Sequence, residues 1–391
     1  MVTTLTTPRE GIPALLATPS QLRQAERRLA KGSGAIAVDT ERAGGIRYND
    51  RAFLLQLRRA GSGTMLIDPE PHREVVGPAL EAVLSQATWV LHDAATDLPS
   101  LYALGLYPAG LFDTAIAAKL LNITPYRLPE LSATLIGYTM HKTHGGEDWS
   151  RRPLPKAWRN YAALDVEVLL ELAQACQQRL DAAGKSEWAR EEFEFIQHKA
   201  HPLSPARWED SKAANSVTKP QELAVVRALW LHRDALAMAM DVAPHRLLPD
   251  KAMVAIAKHK PRSVSQLMRL DAFPRDLRNH AGEWLNVANA GIAATPWPKR
   301  PKRRGTISTS AWKKRHPESF EQLLAAEEAL EEVQAEINVE SDALMSRRTL
   351  RGVCWSCLHE GLSLDQAIEQ TLLRPWQIEQ AQPVFRAAGL S

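Results

Sequence analysis

Two carboxylates one residue apart close an apolar run, Ala35-Ile36-Ala37-Val38-Asp39-Thr40-Glu41. In an extended strand successive side chains alternate between faces, so Asp39 and Glu41 project from the same side. Acids placed this way repel each other. Water can offset that charge at a solvated strand end, and so can a hard cation such as Mg²⁺ or Mn²⁺, which takes carboxylate oxygens as ligands. Further acids in similar settings favour the cation. Asp97 stands where His92-Asp93-Ala94-Ala95-Thr96-Asp97 passes from a strand pattern into a helical one. Asp165 follows Tyr161 by four residues, which puts phenol and carboxylate on one helix face about one turn apart. Asp165 also sits between Leu164 and Val168, at the edge of an apolar stripe, where a carboxylate without a partner is costly to bury and a metal ion would relieve the cost. For Asp97, and more strongly for Asp113 in Leu111-Phe112-Asp113-Thr114-Ala115, the competing role is a helix N-cap.

The elements that must hold these groups can be read from periodicity. A short amphipathic helix over 20–30, capped at Ser20 and ended by Gly32, precedes the strand that carries Asp39. Ala52-Phe53-Leu54-Leu55-Gln56-Leu57 and Thr64-Met65-Leu66-Ile67-Asp68 read as the next two strands of an antiparallel meander. A helix over 73–85 leads to a fourth strand, Trp89-Val90-Leu91-His92, and strand-helix alternation after a meander implies a mixed sheet with helices on both faces. Pro155 to about Ala183, with Gly184 behind it, reads as one long helix bearing Tyr161 and Asp165.

At 391 residues the chain is long enough for two or three domains. Its 45% apolar and 24% charged residues are ordinary for a globular protein, and a net charge of +3 carries little field over this length. Three cysteines cannot build a disulfide framework and suit a reducing cytoplasm. Cys354 and Cys357 form a CxxC, but His359 alone does not complete a zinc site. No signal peptide and no membrane-spanning apolar run is visible. Residues 1–14 are expected to be disordered, 15–195 to form the α/β domain and 196–220 a linker. Beyond 195 strand signals vanish, and helical periods at 221–295 and 317–391 flank a basic linker at 296–316. Eight Lys and Arg with no acid lie between Trp297 and His316, among them Lys299, Arg300, Lys302, Arg303 and Arg304. Such a stretch suits a strap along a phosphate backbone. The following 317–342 carries nine acids and no base, and so competes for that strap in cis.

Taken together, a strand bearing Asp39 and Glu41, a strand-to-helix junction bearing Asp97 and a helix bearing Tyr161-x-x-x-Asp165 resemble the three exonuclease motifs of the DEDD superfamily in its Tyr-containing subgroup. Val38-Asp39-Thr40-Glu41-Arg42, His92-Asp93-Ala94-Ala95-Thr96-Asp97-Leu98, Phe112-Asp113-Thr114 and Tyr161-Ala162-Ala163-Leu164-Asp165-Val166 are similar to bacterial ribonuclease D over residues 15–195. Leu223, Val226, Trp230, Arg233, Pro244, Leu247-Leu248-Pro249-Asp250, Ala257 and Pro261-Arg262-Ser263 resemble the helicase-and-RNase-D C-terminal (HRDC) domain. Residues 317–391 faintly resemble a second such repeat.

The resemblance implies a ribonuclease H-like fold followed by all-α HRDC-type bundles. It implies a 3′–5′ exonuclease acting on RNA, such as tRNA precursors, with a DNA exonuclease and a non-catalytic nucleic-acid-binding protein as alternatives. It further implies two divalent cations, Mg²⁺ or Mn²⁺, held by Asp39, Glu41, Asp97 and Asp165, with Asp39 bridging them and Tyr161 orienting the attacking water. Thr40 and His92, inside the motifs, are expected at the nucleic acid, and the chain is expected to be a cytoplasmic monomer.

Overall fold

The computed structural model describes residues 2–141, 144–199, 203, 207–299 and 308–390. Strands β1 (Thr3–Leu5), β2 (Leu15–Leu16), β3 (Ser33–Arg42), β4 (Ala52–Ala60), β5 (Gly63–Ile67), β6 (Thr88–Leu91), β7 (Gly110–Asp113) and β8 (Tyr138–Met140) form two sheets. The main sheet runs β2-β5-β4-β3-β6-β7. Its β3–β4–β5 part is the expected antiparallel meander, with Asp39 opposite Gln56 and Glu41 opposite Leu54. β6 then joins β3 in parallel, and β7 joins β6 in parallel, so the sheet is mixed. Parallel neighbours need a crossover, and the helices between them supply it.

Helices α1 (Pro19–Ala30), α2 (Arg73–Leu84), α3 (Leu98–Tyr102), α4 (Thr114–Leu120), α5 (Leu128–Ile136), α6 (Lys156–Glu167), α7 (Leu169–Ala182) and α8 (Ser186–His198) belong to this domain. The cap of α1 is Thr18 rather than Ser20. Thr18 accepts from the Gln21 backbone while Gln21 reaches back, a capping box that leaves Pro19 at the first helical position.

Three expectations fail locally. The long helix over 155–183 is two helices, broken at Val168, whose φ and ψ are −109° and −4°. Ala162 and Ala163 of α6 pack with Phe53, Leu54 and Leu66, whereas Leu169, Leu172 and Cys176 of α7 enter the main core. One straight rod cannot follow a twisted sheet into both places. Nor is the N-terminal segment disordered. β1 pairs in parallel with β8, and the Arg9 backbone N–H donates to Glu167 at 3.3 Å. Glu167 is fully buried, so a cation brought by the N-terminal segment is stabilising. Finally, much of the supposed linker is packed. Ala213, Ala214 and Val217 are buried in the core of the helical domain that follows.

That domain is built on the helices Pro220–Met240, Asp250–His259 and Ala281–Ala293 and has its own apolar cluster around Val226, Leu229, Met253 and Trp284. It docks on the loop after β3. Arg51 makes two bonds to Asp241, at 2.8 and 2.9 Å, and Tyr48 donates to Asp234. The last third of the chain behaves differently. Thr309–Arg315, expected as linker, is helical because Trp312 is fully buried and anchors it. Trp312, Phe320, Trp376 and Phe385 belong to the same continuous cluster as Leu22, Ile36 and Trp89 of the α/β domain. Trp376 stacks on Trp188 of α8, with ring centroids 4.8 Å apart.

Candidate active site

β3 ends where the meander delivers it, and Asp39, Glu41 and the α6 residue Asp165 meet there. One oxygen from each lies within 4.8 Å of the others, close enough to share a single cation. Glu41 and Asp165 are buried, and Asp39 is half-buried. Burial, followed by the charges of Asp39, Asp165 and Asp97, pushes the Glu41 carboxyl well above the usual carboxylate range. Three oxygen donors crowded at this cost fit a hard divalent cation, and no nitrogen or sulfur donor is in the group.

Tyr161 is placed one turn before Asp165 by α6, as the spacing requires. Its hydroxyl donates to Asp165, and burial, reinforced by the surrounding carboxylates, raises its pKa far above the phenol range. An aromatic sleeve holds the ring. Trp149 lies 6.2 Å away, His144 meets it edge-on at 5.9 Å, and a Cβ on Gly145 would come 3.4 Å from the hydroxyl. Arg152 fastens this loop by a two-pronged bond to Asp68, at 2.5 and 2.6 Å, and by donating to the Phe53 and Trp149 carbonyls.

Asp97 is not in the three-acid group. It occupies the N-cap position of α3 yet makes no side-chain cap bond, so the capping role does not explain it. Its Oδ1 accepts from the Thr40 hydroxyl at 2.6 Å and from Arg42 at 2.5 Å, and its Oδ2 from the Thr96 hydroxyl at 3.2 Å. Asp113, by contrast, is a cap. It accepts from the backbone N–H of Ala115 and Ile116 and, from the preceding turn, of Asp93 and Ala94. That turn contains Asp93 in the left-handed region at φ 65°, so Asp113 fixes the junction from which Asp97 projects.

The remaining expected residues divide. Thr40, expected at the nucleic acid, is buried, and its hydroxyl is committed to Asp97 and Ser100, which makes it a support for the acid. His92 is half-buried. Its Nδ1 is 2.8 Å from the Thr114 hydroxyl, and it lines a cavity of about 390 Å³ with Arg127, Leu128, Pro129 and Glu130. Lys299 is exposed, whereas Arg300, Lys302, Arg303 and Arg304 lie outside the described residues. Sequence reasoning missed Arg42, His144, Trp149 and Arg127. Arg42 is the next residue after Glu41, and its charge beside two acids is a signal that was available.

The 3'-5' exonuclease family profile matches residues 13–181, the HRDC domain profile matches 222–287, and that of the 3' to 5' exonuclease C-terminal domain matches 305–388. A ribonuclease D from Shewanella sp. is 30% identical over 274 residues, covering 68% of this chain and 69% of that protein. The chain belongs to the ribonuclease D family. It is a 3′–5′ exoribonuclease. A ribonuclease D of Nitrobacter hamburgensis is 28% identical over 313 residues, 76% of this chain and 79% of that one. Among solved structures, a protein from Bifidobacterium adolescentis superposes with a TM-score of 0.87 at 32% identity over 100% of both chains. Escherichia coli RNase D, described as an exoribonuclease involved in structured RNA processing, shares the fold, with a TM-score of 0.72 at 23% identity over 96% of this chain and 98% of that one. Among the described residues, no helix is long and apolar enough to cross a membrane.

Proposed function

We propose that this ribonuclease D family member trims the 3′ ends of structured RNA, such as tRNA precursors, at a site for two divalent cations, Mg²⁺ or Mn²⁺. The convergence of Asp39, Glu41 and Asp165 beside Tyr161 carries this reading. Asp39, Glu41 and Asp165 would hold one ion, and Asp39 with Asp97 would hold the other. Two such ions would supply a nucleophile from water at neutral pH and would offset charge on the attacked phosphate and the departing 3′ oxygen.

This chain's own residues supply position. Because the Tyr161 O–H is donated to Asp165, its oxygen lone pairs are left to accept a hydrogen from the attacking water and aim it. A phenol ordinarily keeps its proton near neutral pH, so Tyr161 acts by orientation and not as the general base. As water bonds to phosphorus, the P–O3′ bond breaks, freeing a nucleoside 5′-monophosphate and a new 3′ hydroxyl. His92 and the exposed Arg127 flank the cavity beside the motif-bearing junction and suit the incoming strand. The HRDC domain and the basic stretch that includes Lys299 add phosphate contacts. Three free cysteines fit a reducing cytoplasm, and a monomer suffices for a site built from one chain.

Hydrolysis of a 3′-extended tRNA, a single-stranded RNA and a single-stranded DNA, each with Mg²⁺ and with Mn²⁺, tests the reading. Asp39→Asn is expected to abolish hydrolysis while RNA affinity persists, and Tyr161→Phe to leave a rate reduced by about 10²-fold. Normal turnover by Asp39→Asn, or a preference for DNA, overturns it.

A further inference from the structure

Asp97 differs from the other three acids in what it touches. Asp39, Glu41 and Asp165 face one another, whereas Asp97 has a guanidinium on the oxygen that also takes the Thr40 hydroxyl. Arg42 is the last residue of β3, and along that strand Thr40 and Arg42 alternate with Asp39 and Glu41. One strand end therefore carries two acids on one side and, on the other, the hydroxyl and the cation that together engage the fourth acid. Among the described residues, the Arg42 side chain is hydrogen-bonded at its head. Nη1 contacts Asp97 at 2.5 Å and the Thr40 hydroxyl at 3.1 Å, and the side chain is 26% exposed while that of Asp97 is 5% exposed. A buried acid is thus neutralised by a flexible side chain with a route to solvent.

We propose that Arg42 is a built-in stand-in for the cation that Asp97 takes during catalysis, and that the second divalent ion binds by displacing it. The inference rests on the two-cation reading above and concerns the order in which the charges are exchanged. An arginine and a metal ion compete for the same carboxylate lone pairs, so the ion at Asp97 must displace a guanidinium bonded to its own ligand oxygen, whereas on Asp39 and Glu41 Arg42 acts only through its charge. The first cation is therefore held tightly and the second weakly. Once displaced, the guanidinium remains at the mouth of the cluster, where its fork of N–H donors matches a phosphate, so RNA arrival favours the exchange. Filling of the second position is then tied to the presence of substrate.

Calorimetric titration of Mn²⁺ into the metal-stripped full-length chain, with thermal unfolding in parallel, tests this. The expected wild-type result is one tight ion and a second at least about tenfold weaker. Arg42→Gln is expected to tighten the second by about tenfold or more and the first by clearly less. The same variant is expected to melt below wild type without metal and to match it at saturating Mn²⁺, because the ion then supplies the missing charge. Adding a nucleoside 5′-monophosphate is expected to tighten the second ion in wild type and not in Arg42→Gln. Should Arg42→Gln fail to fold, Arg42→Lys, whose ammonium makes a single-point contact, is expected to tighten the second ion by a few-fold. A second ion bound no more tightly in either variant overturns the proposal, as does a thermal deficit that persists at saturation. If wild type binds no Mn²⁺, or if Asp39→Asn leaves binding unchanged, the two-cation reading itself has failed.

Discussion

Asp165 and Glu167 are separated by one residue on α6, both are buried, and the structure treats them in opposite ways. Glu167 is met by arginines from two other segments. Arg58 of β4 lies 3.3 Å away, and Arg9, which also pairs with Glu171 at 2.5 Å, reaches it from the N-terminal stretch. Asp165 faces Asp39 and Glu41, with a phenol as hydrogen-bond donor. Where a buried acid only fastens elements together, the polypeptide brings its own cation. Where Asp39, Glu41 and Asp165 crowd together beside Tyr161, an ion from solution would complete the neutralisation, and the crowding would favour its binding. Burying charge is expensive in both places, but only in the second is the expense recovered on ligand binding.

Paired substitutions sharpen the comparison, and the largest effect is expected at Asp165. Asp165→Asn should slow hydrolysis by about 10³-fold in a single-turnover assay while the metal-free protein melts no lower than wild type. A clear loss of metal-free stability would put Asp165 in the same class as Glu167. Arg58→Ala should do the reverse. Leaving Glu167 short of its countercharge should cost about 3 kcal/mol in urea unfolding, with little change in the metal requirement of the folded enzyme. The smallest effect concerns Glu41. Its folded carboxyl keeps a proton that the unfolded chain has already lost, so its contribution is fully present below about 4.5 and is lost as pH rises through the folded value. In the presence of a chelator, wild type should lose stability between pH 5 and 8 by on the order of 1 kcal/mol more than Glu41→Gln, and saturating Mn²⁺ should abolish the difference.

The convergence of Asp39, Glu41 and Asp165 beside Tyr161 was legible because each sits in a local pattern, alternation on a strand or a helical turn. The meander was legible for the same reason, since apolar alternation and turn residues are local signals. What escaped depends on partners distant in sequence. Nothing near Val168 marks a break, because the break answers to two separate surfaces that α6 and α7 must cover. The N-terminal segment reads as polar and loose until Glu167 gives Arg9 a reason to be placed. Asp97 and Asp113 look alike in sequence, each at the start of a helix, and only tertiary contact separates the one held by Arg42 and Thr40 from the one held by four backbone N–H groups. The aromatic sleeve around Tyr161 was hidden for a related reason, since nothing in the sequence next to His144 or Trp149 sets either of them against that ring.

The apolar cluster opened by Leu22 is closed by Val384, Phe385 and Leu390, while the HRDC helices between them bury a cluster of their own. Translation therefore delivers the catalytic sheet well before these packing partners, which lie roughly 200 residues or more further along the chain. The interposed bundle can collapse in the meantime, but the face around Trp188 stays bare until Trp376 arrives to cover it. A nascent chain thus displays Asp39, Glu41, Asp97 and Asp165 before this face is covered, and a chain that stops between the HRDC helices and Trp376 leaves a sticky surface for chaperones and proteases.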